Sequence, residues 1–392
     1  MLSATTRDIV TQTVPVLEAG GEALTRHFYN YMLSHYPEVR PLFNQANQAS
    51  GTQPRALASA ILNYAKHINR LEALGPLVGQ IVSKHVSLQI LPEHYPIVGT
   101  CLLQAIRDVL GEAATDDIIN AWAEAYQFLA DLLIGAEEKV YADNASADGG
   151  WRGARAFRLV RKQVESDEIT SFYFEPVDGN PILAHQPGQY IGLQVWVDGT
   201  EQRRNYSLSA APNSHYYRIS VKREAEGAVS RYLHDQLSPG QTINLFPPTG
   251  ELVLQPGTGP VALLSAGVGI TPTLPILQQA LSAGRDVVFI HYARHRGVEA
   301  FRDELDQLQS KYPAQLQRYR VLEQHEEEDQ ADDTGRIYME QLQRWLPDHE
   351  GLQAYFIGPA PFMKVARQLL KETGVSEDRQ FYEFFGPAQA LN

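Results

Sequence analysis

The stretch SKHVSLQILPEHYP, residues 83–96, places one histidine, His85, in an apolar helical pattern, breaks at Pro92 and resumes at Tyr95. A histidine on such a face is either a core side chain with both ring nitrogens satisfied or the ligand of a redox metal. Alone, the stretch leaves both readings open, because the other histidines, His27, His67 and His94 among them, compete. The surroundings have to decide.

Residues 1–142 read as helical throughout. Leu57, Ile61, Leu62, Ala65 and Ile68 recur at three and four spacing. Thr115 precedes an acidic pair and a long periodic run to Tyr141, which marks a helix start. Pro37, Pro41, Pro54, Pro76 and Pro92 cut the region into roughly six to eight helices. DNASADGGWRG, 143–153, is small, polar and glycine-rich, a linker composition. The runs AFRLVRKQV, ITSFYFEPV, QYIGLQVWV, NYSLSA, YYRISVK and QTINLFPP follow, separated by turn residues and interrupted by a helix, GAVSRYLHDQL. They predict a closed or nearly closed antiparallel barrel over 154–256. From 257 to 392 continuous apolar strands alternate with helices, which predicts an open parallel sheet. The expected fold is therefore multidomain: all-α, β and α/β units in series.

Composition narrows the function. The 392 residues are 44% hydrophobic and 20% charged, ordinary for a globular chain. No apolar run reaches the length of a membrane span, and MLSATTRDIV lacks a signal-peptide pattern, so the expected compartment is the cytoplasm, without stable membrane insertion. A single cysteine, Cys101, excludes internal disulfides, an all-cysteine iron–sulfur cluster, a C-x-x-C redox pair and thioether-linked haem. Electron transfer must then use an organic cofactor, a non-covalent haem, or both. A net charge of −13 argues against nucleic acid as a partner. The acidic run 323–333 reads as a solvated loop.

Three short motifs carry chemistry. In SAGVGITP, 265–272, Gly267, Val268 and Gly269 link the first α/β strand to a helix opening at Ile270, Thr271 and Pro272. Such a turn lets backbone N–H groups approach a pyrophosphate. It is not G-x-G-x-x-G, and alone it also reads as a tight strand-to-helix turn. RNYSL, 204–208, sets Arg204, Asn205, Tyr206 and Ser207 on one strand: a guanidinium for phosphate and an aromatic for a flat ring, with Tyr190 as a second aromatic. EGAVSRYL, 226–233, offers Gly227 and Ser230 at another helix start.

The order of these motifs resembles the ferredoxin–NADP reductase family over about 151–392. The closing YEFFGP, 382–387, resembles that family's last strand, with Phe385 in the place of the aromatic that covers the flavin and Phe384, Gly386 and Pro387 beside it. The resemblance implies FAD on the barrel and NAD(P)H as hydride donor. The preceding HFYNYMLSHYPEVRPLFN, TQPRALASAILNYAKHI and SKHVSLQILPEHYPIVG resemble a globin, and the whole chain resembles a flavohaemoglobin.

That resemblance implies haem b with His85 as the proximal iron ligand. It implies that Tyr95 and Glu137 form a hydrogen-bond network with His85; Glu138 is adjacent, and the distance back from Trp151 favours Glu137. Pro96, next to Tyr95, could kink the helix there. On the distal side it implies Tyr29 as a hydrogen-bond donor to dioxygen, Gln53 nearby, and Leu57 and Phe43 as an apolar wall. Lys84 and Glu383 would tune potentials at the flavin. The activity implied is NAD(P)H-dependent oxidation of nitric oxide to nitrate by O₂, electrons passing from NAD(P)H through FAD to haem. Alternatives are reduction of alkyl or lipid hydroperoxides, oxygen storage or sensing, and a plain flavin reductase with a degenerate globin. A monomer is expected, with room for lipid in the distal pocket. Two positions depart from the family pattern: Ile357 and Phe384 stand where cysteines are common. Arg294 and Arg296 are placed for the 2′-phosphate of NADPH, or are turn arginines in solvent.

Overall fold

The computed structural model describes residues 2–43, 51–324, 326, 329–348 and 350–386. Pro387 and part of the acidic run 323–333 lie outside the described residues.

Six α-helices build the first unit among the described residues: α1 (Ala4–Gln12), α2 (Val14–His35), α3 (Thr52–His67), α4 (Gly75–Leu88), α5 (His94–Leu110) and α6 (Asp116–Ser146). Their starts follow local chemistry. The Ser3 hydroxyl accepts the Thr6 N–H at 3.0 Å and so caps α1. Thr115 caps α6, with Asp116 and Asp117 at its positive end. Pro96 falls in the first turn of α5, where its missing N–H forfeits no helical partner. The core gathers Phe28, Met32, Ile68, Leu102, Ile106 and Trp122 from these helices.

α6 runs beyond Tyr141 to Ser146. Nothing in DNAS stops a helix, since it holds neither glycine nor proline. The chain turns at Gly149 and Gly153, both at positive φ (68° and 75°). Trp151 then packs on Phe157 and Tyr217.

The second unit is a six-stranded antiparallel sheet: β1 (Arg155–Val164), β2 (Ile169–Pro176), β3 (Tyr190–Val197), β4 (Thr200–Ser207), β5 (Tyr217–Lys222) and β6 (Thr242–Leu245). Its order is β4-β3-β6-β1-β2-β5, and the chain leaving β4 meets β5 through a bridge between Leu208 and Ile219. Alternate residues turn inward, including Phe157, Leu159, Phe172 and Phe174. The expected helix at 227–237 is one α-turn, α7 (Ala228–Arg231), followed by a π-turn over Tyr232–Gln236.

The third unit is a parallel sheet: β7 (Val261–Ala266), β8 (Val287–Ala293), β9 (Leu316–Leu322), β10 (Asp333–Thr334), β11 (Gln353–Ile357) and β12 (Gln380–Phe381). Its order is β10-β9-β8-β7-β11-β12. α8 (Ile270–Ser282) and α9 (Arg302–Lys311) cover one face; α10 (Met339–Trp345) and α11 (Ala360–Glu372) cover the other. β7 and β8 are buried along their whole length, as strands between two helix layers must be. Strand order reverses between β7 and β11, which opens a crevice at their carboxyl ends. β12 is shorter than the run RQFYEFF suggests; from Tyr382 onward the chain leaves the sheet.

Candidate functional site

His85 lies in the last turn of α4. Its Nδ1 is 2.7 Å from Oε1 of Glu137, and the Tyr95 hydroxyl donates to the same oxygen at 2.6 Å. A carboxylate only accepts, so Nδ1 carries a proton, which makes Nε2 the nitrogen whose lone pair a neutral imidazole offers to a ligand. Glu137 is 2% exposed and the His85 side chain 33%, so the imidazole is the solvent-reachable end of a buried network. Burial, with Glu137 beside it, holds the Tyr95 hydroxyl far above the ordinary phenol range, so it stays a donor. Adjacent Glu138 points outward and pairs with Arg152 at 2.6 Å.

His85 opens onto a cavity of about 500 Å³. Tyr29, Phe43, Gln53 and Leu57 belong to its walls. Tyr29 is buried edge-on against Phe28 and Phe43, with ring centroids 4.9 and 5.6 Å away. Burial raises its pKa beyond the phenol range, opposed by a hydrogen bond from Gln53. The phenol therefore remains protonated and able to donate. Gln53 Oε1 is buried without a hydrogen-bond partner.

The same cavity continues onto the antiparallel sheet, where Tyr190, Arg204, Asn205 and Ser207 line it. The Tyr190 hydroxyl and Asn205 Oδ1 are buried and unpartnered. At a cavity wall, a buried polar atom left without a protein partner is a candidate contact for a polar ligand group. Arg204 binds the Arg203 carbonyl and Gln202 Oε1, and burial lowers its pKa. Tyr206 packs with the sheet core rather than on the cavity wall. Ser230 is taken up by its own loop: it accepts the Glu224 N–H and donates to the Gly227 carbonyl, both at 3.2 Å.

The third unit closes the cavity. Pro272, Ile357, Glu383, Phe384, Phe385 and Gly386 line it there. Lys84 donates to the Phe384 and Gly386 carbonyls. Burial pushes the Glu383 carboxyl up to about 7, against the pull of Lys84, and lowers Lys84 in turn. Phe385 is 53% exposed, while Phe384 meets Tyr382 edge-on at 5.9 Å. Gly267, Val268 and Gly269 form a 3₁₀ turn into α8, with Gly267 at φ 54°. A Cβ on Gly269 would stand 2.1 Å from the Ile357 carbonyl oxygen, so only glycine lets the loop meet β11. Thr271 closes the turn onto the Val268 carbonyl, and Ile270 is fully buried; neither these two nor residues 267–269 line the large cavity.

Residues 26–133 match the globin family, 156–254 the oxidoreductase FAD-binding domain and 263–368 the oxidoreductase NAD-binding domain. The flavohemoprotein of Pseudomonas aeruginosa is 59% identical, with both chains covered completely, and that of Pseudomonas putida is 58% identical with the same coverage. The chain belongs to the flavohemoprotein family. Its flavohemoprotein architecture extends to three dimensions. A crystal structure of a flavohemoglobin from Malassezia yamatoensis with bound FAD and heme superimposes with a TM-score of 0.88 at 28% identity, over 98% of this chain and 100% of that one. The FAD/NAD-binding domain of a nitric oxide dioxygenase from Vibrio cholerae is 34% identical over 60% of this chain and 100% of that one, with a TM-score of 0.56.

Sequence reading missed several members of this flavohemoprotein site. The Tyr126 hydroxyl donates to the Tyr95 carbonyl at 2.6 Å, and its ring fills the space left by Gly99, where a Cβ would be 2.6 Å away. Tyr141 donates to the Ile90 carbonyl at 2.8 Å. A signal existed: Tyr126, Leu133, Glu137 and Tyr141 fall on one face of α6 at helical spacing. Arg203 and Ser87, which join the first two units, had no such periodic signal.

Proposed function

We propose that this chain is an NAD(P)H-dependent nitric oxide dioxygenase, converting nitric oxide and O₂ to nitrate. The observation that carries the reading is the His85–Glu137–Tyr95 network at the wall of a cavity that runs on to the antiparallel sheet. The residues fit the cofactors. Among the described residues no cluster of three or more His, Cys, Asp or Glu is placed to hold a bare metal, so iron at His85 requires the remaining ligands of a porphyrin. When bound, haem b supplies one-electron and O₂ chemistry, FAD splits a hydride pair into single electrons, and NAD(P)H supplies the hydride.

The side chains have separate tasks in this proposal. His85 Nε2 holds the iron. Glu137 keeps the Nδ1 proton in place and gives the imidazole anionic character, which favours oxygen activation over carriage. Tyr29 donates into the distal space where negative charge develops, and Gln53 supplies an unpaired carboxamide oxygen beside it. Leu57 and Phe43 keep bulk water out. Tyr190, Arg204, Asn205 and Ser207 hold the flavin from the cavity wall, Tyr206 backs them from the sheet core, and the turn at Gly227, closed by Ser230, faces its pyrophosphate. Gly267–Pro272 receive the nicotinamide dinucleotide. Lys84, Glu383, Phe384, Phe385 and Gly386 border the flavin edge; Pro387 belongs to the same motif. The proposed setting is the cytoplasm, as a monomer acting on small molecules.

The test is aerobic nitric oxide consumption with NADH and NADPH in turn, with nitrate as measured product, beside Tyr29→Phe. Nitrate formed in step with nitric oxide loss, much slower in the variant, supports the reading. Rapid turnover of an alkyl hydroperoxide with negligible nitric oxide consumption would replace it with the peroxide reading.

A further inference from the structure

A helix leaves its last carbonyls without partners, and the fate of those of α4 shows what holds the histidine in place. The Lys84 carbonyl receives the Ser87 hydroxyl at 2.8 Å, and the His85 carbonyl receives the Ile90 N–H at 2.9 Å. The Val86 carbonyl receives the Gln89 N–H and side-chain amide at 3.1 and 2.9 Å. Gln89 achieves this by adopting φ 58°, unusual for a residue with a side chain. The carbonyls of Leu88 and Gln89 lie beyond what the helix itself can satisfy. They turn to the other unit: Arg203 Nη1 on β4 is 2.7 Å from the Leu88 oxygen and 3.5 Å from that of Gln89.

This contact is built, not casual. Arg203 Nε donates to Glu201 at 2.7 Å, Glu201 also receives the Gln194 amide at 2.7 Å, and the guanidinium lies over the Phe246 ring at 5.5 Å. The long side chain is therefore fixed before it reaches the helix. A cation at a helix C-terminus also complements the helix dipole. Asn205 Nδ2 donates to the Ser87 hydroxyl at 2.7 Å. On β3, Gly192 has no side chain where a Cβ would stand 1.9 Å from the Ser87 carbonyl oxygen. Helix end and sheet are in backbone contact.

We propose that Arg203 is a positioning residue that clamps the end of the His85 helix to the flavin sheet and sets the geometry for electron crossing. The proposal rests on the haem and flavin reading above; Arg203 borders the same cavity, and the role assigned to it is to hold the helix end rather than to bind either group. Electron transfer falls steeply with separation and orientation, so a helix end held loosely slows the crossing without altering hydride transfer. Arginine is needed rather than lysine, because one nitrogen caps carbonyls while another holds Glu201.

The experiment compares the holoenzyme with Arg203→Gln and Arg203→Lys. Each is mixed anaerobically with NADH under carbon monoxide, and flavin bleaching and the Soret band are followed separately. Amide exchange over 84–90 is measured by mass spectrometry. In Arg203→Gln we expect flavin bleaching at the parent's rate, slower haem reduction, and faster exchange over 84–90, where the helix end has lost a hydrogen bond to a charged group. Arg203→Lys should recover part of both. Haem reduction at the parent's rate overturns the proposal, as do bleaching and haem reduction slowing together. A parent protein without a Soret band would instead overturn the haem reading, while amide exchange would still report on the clamp.

Discussion

Oε1 of Glu137 lies 2.7 Å from Nδ1 of His85, inside a carboxylate site that is 2% exposed. An anionic acceptor at that distance makes the imidazole a stronger donor to iron than a carbonyl acceptor would. Glu137→Gln keeps the shape and removes the charge. The expected result is a lower iron–histidine stretching frequency in the ferrous protein, by resonance Raman, and a loss of nitric oxide turnover of about 10- to 100-fold, the usual cost of losing a ligand's hydrogen-bond partner.

Tyr29 is the proposed distal counterpart. Its buried hydroxyl stays protonated, so removing it takes away a donor and leaves the cavity's shape. Tyr29→Phe should slow nitric oxide oxidation by on the order of a hundredfold and speed O₂ dissociation, both measurable by stopped flow.

How far the sequence carried these conclusions depends on the range of the contact involved. The helices and the strand holding Arg204 were legible because helical period and strand alternation are local properties, whereas His85 and Tyr29 were singled out only by the resemblance to a flavohaemoglobin, since their own segments left both readings open. Glu137 was told from Glu138 only by counting, although burial separates them cleanly: one faces His85 and the other Arg152. The end of α6 was placed too early because composition suggested a linker where backbone hydrogen bonding simply continued. The two-residue β12 shows the opposite error, an apolar run read as a longer element than tertiary packing sustains, while the expected helix at 227–237 forms over 228–236 but widens to a π-turn after its first turn. Arg203 was invisible for a different reason. Its partners Leu88 and Gln89 are 115 and 114 residues away, and no pattern within either segment announces the contact.

Glu383 gives a pH dependence. Burial raises its carboxyl to about 7, from an ordinary value of 4.5. The folded state thus favours the protonated form, and ionisation works against folding: stability from this group is full below the unfolded value and is lost as pH rises through about 7. Glu383→Gln should be more stable than the parent at pH 8, relative to their difference at pH 5, in thermal melts. An inflection in haem reduction near neutral pH should vanish in the same variant.

In the proposed function, nucleotide choice falls on the loop after β8. Arg294 pairs with Glu168, and Arg296 with Asp329 at 3.7 Å, so a 2′-phosphate must compete with carboxylates already there. NADPH is expected to be a competent donor. Arg294→Ala should raise KM for NADPH about tenfold while leaving that for NADH nearly unchanged. Steady-state kinetics showing overwhelming NADH preference in the parent would contradict this.

The ligand bond itself is tested by His85→Gly with added imidazole, read by absorption spectroscopy of the ferrous protein. The account predicts that the variant loses the parent's Soret spectrum and that free imidazole restores it by occupying the vacated place beside Glu137. A His85→Gly protein that retains the parent's ferrous spectrum without imidazole would show that iron is held elsewhere and would contradict the account.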